Sequence, residues 1–199
     1  AYVLVLMSVI KDGEPIEFYR PYGGFGQFED VLTSPEDLFD ELEQQYQDLV
    51  KKSEGIYPDA GVATCVLDAE LAGILAHEAI GHTVEADMVL GGSVAGDKIG
   101  KQVASPLITL VDFANSFDGK LCPVPVFVDD EGTKAEDAVI IEEGILKNYL
   151  HNKESAVSFG VSPKGNARAF QFSDEPLIRM RNTAILPGKD RLEDMIASI

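Results

Sequence analysis

The run Asp68-Ala69-Glu70-Leu71-Ala72-Gly73-Ile74-Leu75-Ala76-His77-Glu78-Ala79-Ile80-Gly81-His82 joins a helix start to a pair of histidines. Asp68 is placed as an N-cap with Glu70 in the first turn, and Leu71, Ile74 and Leu75 recur at helical spacing, which predicts a helix whose buried stripe leads into His77. Of three histidines in the chain, two fall in this run, and a glutamate directly follows the first. In the commoner H-E-x-x-H pattern, imidazoles four residues apart share one helix face and bind a metal, with the glutamate as general base. Here one more residue intervenes. At about 100° per residue, positions five apart diverge by roughly 140°, so a regular helix cannot aim both rings at one ion. A π-type turn, with its i to i+5 bond, or an early helix end is therefore predicted between Ala79 and His82. Gly81 is read as lowering the resistance to that distortion.

His77 and His82 are thus the candidate metal ligands and Glu78 the candidate catalytic base. A catalytic zinc takes three protein ligands and one water, so the two histidines leave one ligand unassigned. Glu85 and Asp87 read first as helix-surface acids and second as supports of the histidines. Cys65 and Cys122 lie in apolar surroundings, form no metal-type pair, and are expected to be reduced and buried. His151 is expected at the surface or in a turn.

Outward from this helix, Tyr2–Ile10 and Pro15–Tyr19 flank Lys11-Asp12-Gly13-Glu14, a hairpin signal. Ser34-Pro35-Glu36-Asp37 starts a helix carrying Leu38, Leu42, Tyr46 and Leu49 or Val50 at helical spacing. Ile56-Tyr57-Pro58-Asp59 reads as a linker, which places a boundary between residues 1–56 and 57–199. Short strands are expected at 61–67, 107–111, 124–128, 138–142 with 145–149, and 179–185, with Glu143-Gly144 as a second hairpin turn and a helix near 191–199. The acidic loop Asp129–Thr133 reads as a solvated turn, and Gly165–Arg168 as a loop. The expected fold class is α+β: a hairpin and helix, then a mostly antiparallel β segment carrying one catalytic helix.

With 34 acidic against 16 basic side chains, the net charge is −18, which disfavours direct binding to nucleic acid or anionic membranes. The longest apolar stretch, Val3–Ile10, is far below the roughly 20 residues a spanning helix needs. No secretory signal is visible. A mean hydropathy of +0.02 with 45% hydrophobic residues fits a folded domain with a real core.

The segment His77-Glu78-Ala79-Ile80-Gly81-His82-Thr83-Val84-Glu85-Ala86-Asp87 resembles the signature helix of the TldD/PmbA family, zinc metallopeptidases also called modulators of DNA gyrase, and is most similar to the TldD branch. Further matches follow in order: Asp129–Thr133, Glu143–Lys147 with Tyr149, Gly165–Arg168, Arg179–Thr183 and Leu186-Pro187-Gly188. The resemblance implies that His77 and His82 bind Zn2+ and that Glu78 is the catalytic glutamate. It implies a third ligand, a cysteine downstream of Ile199, and hence that these residues are an internal piece, inactive alone, of a longer protein. Residues 1–56 would then end an amino-terminal α/β domain. It further implies cleavage of peptides or unfolded segments by a homodimer, or by a heterodimer with a PmbA-like subunit, and the reading of both cysteines as reduced adds the expectation of a cytoplasmic location. Arg168 is the candidate for holding a peptide carboxylate or, alternatively, for steadying the acidic loop. Two rival readings are a non-catalytic partner or scaffold subunit and a purely structural metal site.

Overall fold

In the computed structural model, which describes residues 1–199, strands β1 (Tyr2–Lys11) and β2 (Glu14–Gly23) pair antiparallel from Tyr2↔Gly23 to Lys11↔Glu14. Asp12 and Gly13 between them take φ of 53° and 85°, the doubly left-handed turn that Asp-Gly favours. A short helix α1 (Phe28–Val31) and a 3-10 turn (Pro35–Leu38) lead into α2 (Phe39–Ser53). The buried residues of α2 are Gln45 and Leu49, whereas Tyr46 points outward. Gln45 can be buried because its amide is satisfied: Nε2 donates to the carbonyls of Val5 and Phe18 at 3.0 and 3.1 Å, and Oε1 accepts from the Tyr22 hydroxyl at 2.7 Å. These elements belong to one compact unit, Ala1–Ala63.

The second unit, Thr64–Ile199, has helices α3 (Ala69–Leu75), α4 (Ala86–Leu90), α5 (Lys153–Phe159) and α6 (Leu192–Ala197). Its strands are β3 (Leu110–Phe113), β4 (Ser116–Phe117), β5 (Lys120–Leu121), β6 (Ala138–Glu142), β7 (Ile145–Leu146), β8 (Ala167–Arg168), β9 (Leu177–Ile178) and β10 (Asn182–Ile185). The main sheet has the antiparallel order β10-β3-β6-β7, and β4-β5 and β8-β9 form small ribbons. The expected α+β class holds. Glu143 and Gly144, both at positive φ, make the second hairpin turn, and a Cβ on Gly144 would lie 2.5 Å from the Ala104 carbonyl oxygen. Leu110, Ile140, Ile141, Leu146, Leu150 and Ile178 are fully buried and form the core with Val84, Ala86 and Ala76.

One buried ion pair ties β10 to β3. Asp112 Oδ1 accepts from the Arg181 and Asn182 amides and the Thr183 hydroxyl; Oδ2 accepts from Asn166 Nδ2 and, at 2.9 Å, Arg181 Nε. The remaining guanidinium nitrogens donate to the carbonyls of Lys164, Gly165, Asp112 and Glu136.

Several local expectations fail for identifiable reasons. Residues 61–67 join no sheet, since strand propensity acts only where a ladder is available. At 124–128 only Val128 bridges, to Lys134; Pro123 and Pro125 remove donors that a strand there would use. Leu71, Ile74 and Leu75 are about half exposed, and the buried residue at this point is Ala76, which directly follows α3. Cys122 is buried but Cys65 is exposed.

Candidate metal centre

Asp68 caps α3 as expected, its Oδ1 accepting from the Leu71 amide at 2.8 Å. The helix then changes pitch, with Ala76–Gly81 as a π turn and His82–Val84 as a 3-10 turn. The His82 amide donates to the His77 carbonyl, so the i to i+5 bond spans the two histidines themselves. Their rings come to 4.7 Å between centroids at 85°, the convergence a regular helix forbids. Thr83 Oγ1 donates to the Ile80 carbonyl at 2.7 Å, and Ser93 Oγ donates to the Thr83 carbonyl at 2.6 Å, satisfying carbonyls around the irregular turn.

Gly81 serves a different end from the expected one. Its φ of −52° is open to any residue, but a Cβ there would stand 1.8 Å from Met180 Sδ. Glycine here makes room for the Met180 side chain rather than supplying backbone freedom.

The ligand-capable atoms of His77, Glu78 and His82 lie within 4.8 Å of one another. Nitrogens sharing a tetrahedral zinc sit about 3.3 Å apart, a spacing that rotation of these accessible side chains can reach, so the donor set fits the ion. Glu78 Oε2 is 3.9 Å from His82 Nε2. On the other side of the ring, His82 Nδ1 lies 3.4 Å from Oε1 of Glu85, whose carboxylate is buried, while Arg179 Nη1 lies 4.0 Å from Oε2. Burial pushes the Glu85 carboxyl above the usual carboxylate range, against the opposing pull of His82 and Arg179. Glu85 is therefore no surface acid, whereas Asp87 is exposed as expected. The one hint in the sequence was the i, i+3 spacing from His82.

His77 and Met180 border two clefts. One, about 560 Å³, runs along Met180–Pro187 and is walled by Phe113, Phe117, Leu121 and Val124, with Cys122 in its lining. Burial raises the Cys122 thiol, and it is not grouped with the histidines. The other, about 570 Å³, holds Arg168, Arg179, Asp174 and Glu175. Arg168 Nη1 donates to the Met180 carbonyl at 3.4 Å. The acidic loop is exposed at Asp130 and Gly132 as expected, but Asp129 is buried, accepting from the amides of Glu131, Thr133 and Ala167, and Asp130 accepts from the Ala169 amide. His151 is also buried, packed on Tyr149 and Phe159 with Nδ1 3.1 Å from Ser155 Oγ, and burial lowers its pKa.

Residues 60–199 match the family model described as the PmbA/TldA metallopeptidase C-terminal domain. A "Metalloprotease" of Methanothermobacter thermautotrophicus is 34% identical over 198 residues, covering 98% of this chain and 42% of the relative. A "Zinc metalloprotease TldD homolog" of Saccharolobus solfataricus is 35% identical over 151 residues, covering 76% of this chain and 33% of the relative. TldE from Thermococcus kodakarensis shares the fold, with a TM-score of 0.68 at 20% identity over the whole chain and 43% of its own length. The chain thus spans about two fifths of the length of such relatives. With the bent H-E-x-x-x-H helix and this match over most of its residues, the chain belongs to the PmbA/TldD metallopeptidase family.

Proposed function

We propose that this chain supplies the zinc-binding histidines and the proton acceptor of a peptidase acting on peptides or unfolded segments. The observation that carries the proposal is the π turn, which absorbs the extra residue of the motif and sets the two rings together with Glu78 beside them. His77 and His82 would hold the ion. Bound there, zinc supplies the Lewis acidity that brings deprotonation of water into the neutral range. Glu78 Oε2 accepts that proton and passes it to the leaving amine; its side chain is exposed enough to meet both partners. The third ligand is assigned, as the family resemblance implies, to a cysteine outside these residues, and the 199-residue chain alone is expected to bind zinc weakly and turn over no peptide.

β10 is the outer strand of its sheet and borders the apolar cleft beside His77. An extended peptide adding to that edge would place its backbone along Met180–Pro187 and apolar side chains against Phe113 and Phe117. Arg168, in the neighbouring cleft, is proposed to hold a peptide carboxylate. Pairing with a second copy or with a PmbA-like subunit is supported by the shared fold of TldE. No helix is long and apolar enough to cross a membrane, and cytoplasmic residence is part of the proposal. Glu78→Gln in the complete gene product tests the mechanism: zinc content stays and peptide turnover falls about 10²–10⁴-fold. Turnover within a few fold of the unaltered protein would refute Glu78 as the base.

A further inference from the structure

Burying a carboxylate is costly unless its surroundings fix it, and Glu85 is buried immediately behind the histidine pair. Its side chain is 4% exposed, and Oε1 is sealed from solvent without a well-formed hydrogen bond. The backbone around it is pinned on both sides: the Ala86 amide donates to the Leu150 carbonyl at 3.0 Å, and the Leu150 amide to the Val84 carbonyl at 2.9 Å. Two nitrogen groups face the carboxylate, His82 Nδ1 at 3.4 Å and Arg179 Nη1 at 4.0 Å. Arg179 is itself anchored, donating to the Ile178 carbonyl at 2.8 Å. The opposite nitrogen of the ring, Nε2, faces Glu78 and the exposed cluster. The two nitrogens of His82 are therefore divided between a buried acceptor and the candidate metal position.

We propose that Glu85, backed by Arg179, is the positioning residue of the metal centre: it accepts a hydrogen bond from Nδ1–H of His82, which keeps that proton, and so leaves the Nε2 lone pair for zinc. The proposal rests on the reading of His77 and His82 as zinc ligands. A neutral imidazole has one N–H and one lone pair, and an acceptor at one nitrogen decides which is which. The same contact fixes the rotation of the ring and makes its free nitrogen a better donor. Asp87, exposed two residues further on, cannot take this part.

The test uses the complete gene product, metal-free and histidine-labelled with nitrogen-15, at about pH 8, where an ordinary imidazole is neutral. Two-bond proton–nitrogen correlations are expected to show His82 as the Nδ1–H tautomer. Glu85→Gln, which keeps shape but loses charge and can donate, should redistribute that tautomer. It should also raise the zinc dissociation constant, read by chelator competition, about 10–100-fold. Asp87→Asn should leave both unchanged. An Nε2–H tautomer in the unaltered protein overturns the proposal without recourse to any variant, as does a Glu85→Gln dissociation constant within twofold of the unaltered value. If His82→Ala leaves zinc binding intact, the ligand assignment itself fails. If His82 is required but Glu85→Gln has no effect, only the positioning role fails.

Discussion

Replacing Asp112 with alanine is expected to cost about 3–5 kcal/mol of stability, the range for removing one partner of a buried ion pair. Both partners have side chains with 0% exposure. Alanine deletes five hydrogen bonds: to the Arg181 amide at 2.8 Å, the Asn182 amide at 3.0 Å, the Thr183 hydroxyl at 3.1 Å, Asn166 Nδ2 at 2.8 Å and Arg181 Nε at 2.9 Å. Summed at about 1–3 kcal/mol each they would exceed this figure, but water and relaxation recover part of every one. The guanidinium cannot escape, because four backbone carbonyls still hold it, so its charge stays buried without a counterion. Equilibrium urea unfolding followed by circular dichroism measures the loss, the chain having no Trp. With a slope of about 1–3 kcal/mol per molar, the midpoint should fall by more than about 1 M. A double cycle with Arg181→Met should show coupling of about 1–3 kcal/mol. A loss below about 1 kcal/mol for Asp112→Ala would refute the claim that this pair holds β10 to β3.

Gly81→Ala should cost about 1–3 kcal/mol by overpacking, and Met180→Ala in the same chain should recover most of it, as read by unfolding midpoints. Thr83→Val should cost about 0.5–1.5 kcal/mol, because the Ile80 carbonyl loses its 2.7 Å donor; hydrogen exchange should rise selectively in the π turn. His151 gives the pH prediction. Its folded pKa lies below the ordinary 6.5 because burial penalises the charged ring, so the unfolded chain binds the proton first. Its contribution is neutral above about pH 6.5 and destabilises progressively as pH falls from there to the folded value. His151→Gln should flatten stability across that interval, and an unchanged pH profile would count against the buried-neutral state.

The two hairpin turns and the distortion of the metal helix were legible because each depends on a local geometric rule. Asp12-Gly13 demands two positive φ values, and two histidines five residues apart demand a bend if they are to meet. Burial was less legible. Gln45 rather than Tyr46 faces the hairpin because Val5 and Phe18 offer carbonyls there, and Glu85 turns inward because His82 and Arg179 meet it. His82 is near in sequence, but the other partners come from distant parts of the chain, Arg179 lying 94 positions beyond Glu85, and no periodicity encodes them. The same holds at the end of α3, where Ala76 is buried while the larger Leu71, Ile74 and Leu75 stay about half exposed. Within the candidate site, His77, Glu78 and His82 were found from spacing alone, whereas the two clefts required the fold that brings Met180 against Gly81.

The most direct test is the metal content of the complete gene product, measured by elemental analysis after exhaustive dialysis against trace zinc. One zinc per active subunit is expected in the unaltered protein and in Glu78→Gln, and none in the His77→Ala, His82→Ala double variant. Full zinc occupancy in that double variant would contradict the account.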